Sequence, residues 1–253
     1  MPENNETLKE WLKKGPFTLT MSSGFFSFFA HCGMLSVLED EYLMPSMITG
    51  SSAGALIGVC SASGLSTETI RNRLFRLSKS DFWDPSFGLG LLKGKLFRRL
   101  INDFITVRLL EDCPTPVAVS VFDIISRKTH VLNTGTLADA VYATCAVPFL
   151  FQPIRIDGHY YLDGGLKDRP GLAGAQDCQR VFYHHIMSKS PWRSRNSPAL
   201  QIPVIDGLVS LSIDEIPRVS PGKLESGKLA YEKARMATKV ALNKKLECNN
   251  VHV

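Results

Sequence analysis

The sequence predicts an α/β domain built around a largely parallel sheet, and three observations carry that expectation. Short apolar strands alternate with helical stretches from residue 17 to residue 185, the order that strand-helix-strand units impose. The run VAVSVFD at 117–123 is apolar at nearly every position, as a central strand covered on both faces must be. A chain of 253 residues with 44% hydrophobic and 21% charged side chains has the length and composition of one substantial globular domain.

The elements follow in order. Residues 1–16 read as a polar N-terminal extension. FTLTM at 17–21 has the alternation of a short strand, and residues 26–43 carry a long helical pattern. MIT at 47–49 is a second strand. Residues 53–62 and 67–77 read as helices parted by the Ser63-Gly64 turn. A Pro- and Gly-rich patch at 84–94 precedes a helix over 96–105. Residues 129–133 pair back on the 117–123 strand through a turn at Ser126-Arg127, and 137–144 form a short helix. Residues 154–162 read as a hairpin turning at Asp157-Gly158, and 181–185 as one more strand. The Pro-, Ser- and Gly-rich stretch 188–222 is expected to be a surface connection. The remainder, 223–253, is read as a basic C-terminal helix packed on the domain, with Tyr231, Ala234, Ala237 and Ala241 on one face. The domain proper is thus 17–187.

Charge and composition exclude several function classes. Residues 218–253 hold eight Lys or Arg and three Glu, which accounts for the whole net charge of +5. A solvated helix face is the plainer reading of that tail; nothing in it has the form of a nucleic-acid module. No apolar run approaches the ~20 residues of a membrane-spanning helix. The start, MPENNETLKEWLKK, reads as neither a signal nor a transit peptide. The six cysteines are scattered without a C-x-x-C pair, so they are expected to be reduced, mostly buried thiols. A cytoplasmic protein follows as the expectation, with no metal and no cofactor.

The chemistry centres on ITGSSAGA at 48–55. Ser52 alone is flanked by glycine at both −2 and +2, Gly50 and Gly54. Gly-x-Ser-x-Gly fits a tight strand-to-helix turn that exposes a serine hydroxyl. A helix N-terminus placed there supplies N–H groups and a dipole that favour an oxyanion. A serine still needs a base to take its proton. The order serine, acid, histidine of the α/β-hydrolases is poorly matched, because the elbow follows only one strand-helix unit. The downstream histidines His130, His159, His184, His185 and His252 sit in no telling motif. The alternative is a direct serine–carboxylate pair. It is met by Asp163-Gly164-Gly165, at the end of ATCAVPFLFQPIRIDGHYYLDGG.

Together, GSSAGAL and IDGHYYLDGG resemble the patatin-like phospholipase family over roughly residues 17–187. The resemblance implies a three-layer α/β/α fold, with Ser52 as nucleophile and Asp163 as base. It implies hydrolysis of lipid carboxylic esters, with a lipid ester as partner and contact with a membrane or lipid-droplet surface. Gly164 and Gly165 would let the carboxylate enter a narrow cleft, and burial there would raise its basicity. The family's glycine-rich loop is represented by Ser22-Ser23-Gly24-Phe25-Phe26, so the N–H groups of Ser23, Gly24 and Phe25, with Ala53, are the implied oxyanion donors.

Two departures stand out. Phenylalanines replace glycines at 25 and 28, and a non-glycine residue forced to positive φ is strained. Arg169 stands where the family usually has Asn. A lipid-binding protein that lost activity, or an acyltransferase of the same fold, are therefore the rival readings. His31 is read as a packing residue. Phe25, Phe26, Phe28 and Phe29 either line an acyl channel or fill the core. The segment 81–101, which mixes Trp83, Phe87, Leu89 and Leu91 with Lys93, Lys95, Arg98 and Arg99, is read as docked on the sheet in preference to a membrane surface.

Overall fold

The computed structural model describes residues 6–187, 197 and 200–253. Its centre is a nine-stranded sheet. The parallel part comprises β1 (Thr18–Met21), β2 (Met47–Ser51), β4 (Val117–Asp123), β9 (Val181–His185), β10 (Leu208–Ser212) and β11 (Asn250–His252). Their spatial order is β11-β10-β9-β1-β2-β4. An antiparallel margin of β5 (Thr129–Leu132), β7 (Ile154–Ile156) and β8 (His159–Asp163) closes the β4 side. A separate pair joins β3 (Gly90–Leu92) to β6 (Phe149–Phe151).

From β1 the chain adds β2 and β4 on one side, then returns to add β9, β10 and β11 on the other. Such a reversal opens a crevice beyond the carboxyl ends of the strands, where open α/β sheets bind ligands. The loop after β1 and the turn after β2 both lie at that edge.

One face of the sheet carries the helices. In α2 (Phe28–Asp40) every residue from Phe28 to Leu38 is buried. A helix buried all round must have neighbours on every side; α2 lies among α3 (Ala53–Ala62), α4 (Thr67–Phe75) and α7 (Ser226–Leu242) and shares one core with the strand residues Leu19, Met21 and Ile48. The face of α7 that meets it carries Tyr231, Ala234 and Ala241. The opposite face of the sheet is covered by a smaller cluster of Ala175, Val181, Tyr183 and Leu208, beneath the 3-10 turn Leu172–Ala175. The result is the layered α/β architecture expected, with a mostly parallel centre.

Several elements differ from expectation. The N-terminal stretch contains α1 (Leu8–Lys13), closed by a capping box between Thr7 and Glu10 and anchored through buried Leu8 and Leu12. The stretch 188–222 is not all surface connection, since β10 within it is buried at all five positions; residues 188–196, 198 and 199 lie outside the described residues. The segment 81–101 divides. Leu92 and Ile101 are buried and α5 (Lys95–Phe104) packs on α6 (Leu137–Cys145), whereas Phe87, Leu89 and Leu91 are exposed. All six cysteines are free, with Cys248 exposed.

Candidate active site

Sheet register brings the two ends of the motif together. Ser51 of β2 is aligned with Ser120 of β4, and Asp163 of β8 with the next residue, Val121. Because β5 occupies 119–122 along the other edge, β2 and β8 meet end to end along one edge of β4. Residues 111 apart in sequence are thereby neighbours: Ser52 Oγ donates to Asp163 Oδ2 at 2.6 Å. Both side chains are almost entirely buried.

The elbow is strained, as its motif requires. Ser52 has φ 53° and ψ −122°, a conformation that costs an L-residue about 1–3 kcal/mol. Its N–H donates to Thr144 Oγ1 at 2.9 Å, and that hydroxyl donates to Ser120 O at 2.6 Å. Thr144, at the end of α6 and wholly buried, thus pins the elbow to β4. Gly54 must be glycine because a Cβ there would overlap the Met21 carbonyl. Gly164 meets the same limit against Ser120 O; close approach, not a positive φ, is what its position demands. Gly50 lies in β2 two residues before the serine. Gly165 donates its N–H to Asp163 Oδ1 at 2.7 Å, orienting the carboxylate.

The implied oxyanion donors divide. Ser23 N–H is bound to Arg169 O at 2.8 Å, which removes it from the set. Gly24 and Phe25 enter no backbone hydrogen bond through their amides among the described residues, and both line the cavity around Ser52. Ala53 is the first residue of α3, a position with no intrahelical acceptor for its N–H. The strain anticipated in this loop falls on Phe26, at φ 55°.

Residues around the loop hold it in place. Arg169 is buried, and its Nη2 donates to Ile186 O at 2.6 Å. His31 Nε2 donates to Ser22 O at 2.9 Å, which leaves Nδ1 to accept from His184 Nδ1–H at 2.9 Å. Burial drives the His31 imidazole down to about 3, and the Arg169 charge assists while the Ser22 bond opposes. His184 is held well below the usual value by burial. Both rings are neutral props of the β1 loop, in keeping with a packing role. The Cys145 thiol near Ser52 and Asp163 is pushed well above its usual value by burial and then by the Asp163 charge, so it stays a neutral thiol.

Ser52 and Asp163 open into a cavity of about 1490 Å³. Its walls are chiefly apolar, among them Phe26, Phe28, Leu56, Leu74, Phe82 and Phe97. The Phe26 ring contacts those of Phe25, Phe28 and Phe82, with centroids 4.9, 5.2 and 6.0 Å away. Phe28 and Phe29 both belong to the core, and of the two only Phe28 also lines the cavity. Sequence reasoning missed Thr144, which carries no motif, and the Arg169–Ser23 contact, which joins distant loops.

Comparison with known proteins places the chain in a family. The family model described as patatin-like phospholipase matches residues 19–175. An uncharacterised NTE family protein of Mycobacterium bovis is 28% identical over 153 residues, 59% of this chain and 42% of that protein. The neuropathy target esterase sws of Drosophila grimshawi is 26% identical over 174 residues, 65% of this chain and 12% of that protein. The chain therefore spans less than half the length of either relative. The crystal structure of VipD from Legionella pneumophila superposes with a TM-score of 0.64 at 14% identity, covering 90% of this chain and 67% of that one; at that identity it speaks for the fold alone. With its family model matched over more than half of its length, this chain belongs to the patatin-like phospholipase family.

Proposed function

We propose that the protein hydrolyses carboxylic esters of lipids with a Ser52–Asp163 dyad. The observation that carries the reading is the 2.6 Å hydrogen bond from Ser52 Oγ to Asp163 Oδ2 inside a large apolar cavity. As Oγ attacks the ester carbonyl, Oδ2 takes its proton. The N–H groups of Gly24, Phe25 and Ala53 receive the charge that develops on the carbonyl oxygen. Asp163 then protonates the departing alcohol, and the acyl-enzyme is released by water activated through the same carboxylate. The cavity exceeds the roughly 300–1,000 Å³ of common small-molecule pockets, room suited to a long acyl chain.

The lipid is taken from a surface. Phe87, Leu89, Leu91 and Phe149 are exposed on and beside the β3–β6 pair, and Phe149 also lines the cavity. Arg73, Arg76, Arg218 and Lys223 stand around the same cavity. Exposed apolar side chains beside cations are what an interfacial enzyme presents to anionic headgroups.

A fluorophosphonate probe tests the nucleophile. Wild-type protein should label and Ser52→Ala should not; wild type that stays unlabelled alongside a labelled control lipase favours the binding-only reading. Asp163→Asn should keep the fold and lower turnover of a p-nitrophenyl ester by about 10²–10⁴-fold. Near-normal turnover would remove the dyad.

A further inference from the structure

A second constellation lies on the antiparallel margin of the sheet. Asp123, His130 and His159 offer one ligand atom each within 4.8 Å of one another. The residues come from three strands, the end of β4, the middle of β5 and the start of β8. Register explains how they converge. Val121 of β4 is aligned with His130 of β5, and Asp123 with Tyr161 of β8. Side chains alternate between the faces of a sheet, so Asp123, His130, Tyr161 and His159 all stand on one face.

The local geometry has the features of a metal site. Asp123 is buried, and its Oδ1 accepts the N–H groups of Ile125 and Ser126 at 2.8 and 3.4 Å. That fixes the carboxylate and turns Oδ2 toward the histidines. His159 Nδ1 lies 2.9 Å from Oδ2 and His130 Nε2 lies 3.7 Å from it. These separations span the ~3.3 Å expected between ligand atoms each about 2.0–2.1 Å from a tetrahedral ion. The other nitrogen of His130, Nδ1, is 3.1 Å from the Tyr161 hydroxyl, the outer partner that a metal-bound imidazole usually has. Both histidines are partly open to solvent, which provides an entry path and room for a water as fourth ligand.

We propose that Asp123, His130 and His159 bind a divalent transition metal of the zinc class. Two imidazole nitrogens and one carboxylate oxygen suit Zn²⁺ and its first-row neighbours, whereas calcium and magnesium prefer all-oxygen sets. The ion fastens β5 and β8 to β4. Because β8 ends in Asp163, it steadies the strand that carries the base without touching the dyad.

The test uses the full chain with Zn²⁺ and Co²⁺ as probes. After stripping and dialysis against each ion, one equivalent should be retained, and Co²⁺ should give the intense visible bands of a four-coordinate site. Zn²⁺ should also raise the unfolding midpoint, as any ligand of the native state does. His130→Gln and His159→Gln should each weaken Zn²⁺ binding on the order of 100-fold or more, and Tyr161→Phe by about 10–100-fold. Fluorophosphonate labelling should persist in all three variants, which separates failure of the metal site from failure of the ester-hydrolase reading. Zn²⁺ bound equally by wild type and the double histidine variant, or not retained by wild type, would overturn the assignment.

Discussion

The strain at the elbow makes an unusual comparison available, Ser52→Gly against Ser52→Ala. Both variants lose the hydroxyl and its bond to Asp163, so the difference between them isolates the backbone. At an ordinary helix or strand position glycine is about 0.5–1 kcal/mol less stable than alanine. Ser52 sits at φ 53° and ψ −122°, where a residue with a Cβ carries about 1–3 kcal/mol of strain. Glycine relieves that strain and gives back about 0.4–1 kcal/mol through the greater freedom of its unfolded chain. The balance favours glycine by roughly 1 kcal/mol, within a range of about 0–2.6 kcal/mol. For a chain of this size that is a rise of about 2–4 °C in melting temperature for each kcal/mol. Urea unfolding with a common m-value, checked by thermal melts, measures it. An alanine variant more stable than the glycine variant by 0.5 kcal/mol or more, about what any unstrained site gives, would refute the strained elbow.

Three further outcomes follow from the same geometry. Thr144→Val leaves the Ser52 N–H and the Ser120 carbonyl buried without their shared partner; urea unfolding should show a loss of about 2–4 kcal/mol, whereas Thr144→Ser should lose only about 1 kcal/mol for the missing methyl. Burial holds folded His31 at about 3 and His185 at about 4, so below pH ~6.5 the unfolded chain takes up protons that the folded one refuses. Their contribution to stability is therefore full above that pH and falls as the pH drops toward 4; His31→Gln should flatten the unfolding free energy against pH by about 1 kcal/mol per unit between pH 6 and 4, and an unchanged slope would contradict it. Phe87→Ser with Leu89→Ser should weaken binding to anionic vesicles by roughly 10–100-fold, leaving hydrolysis of a soluble short-chain ester unchanged; equal loss on both substrates would argue against surface docking.

What the sequence made legible was whatever is written in contiguous residues. The strands FTLTM and VAVSVFD, the turn at Asp157-Gly158 and the elbow each carry their own local signature, and the structure places them accordingly. The capping box before α1 is also local, Thr7-x-x-Glu10, although residues 1–16 read by composition only as a polar extension. The strand β10 was hidden because LVSLS sits in a stretch rich in Pro, Ser and Gly, and its burial depends on β9 and β11 flanking it. Contacts between residues distant in sequence carry no local signature: His31 with His184, Thr144 with Ser52, Arg169 with Ser23. The Ser23 N–H is closed by an acceptor 146 positions away, which its sequence neighbours do not reveal.

The phenylalanines of the loop after β1 bear on whether a site can lose its glycines and keep its chemistry. An oxyanion is held by backbone N–H groups, which every residue but proline supplies. Glycine matters only where φ is positive or another chain passes close. In this loop the positive φ falls on Phe26, inside the small left-handed region open to L-residues, a cost of about 1–3 kcal/mol. That cost is partly offset where the same side chain is used: the partly buried Phe26 ring lies against Phe25, Phe28 and Phe82, and full burial of a phenylalanine contributes about 1.5–3 kcal/mol. At Phe26 the side chain that sits on the left-handed backbone also forms part of the cavity wall. Among the described residues the amides of Gly24 and Phe25 take no backbone acceptor, while the Ser27 hydroxyl and N–H both close on Gly24 O and turn the loop through its carbonyl.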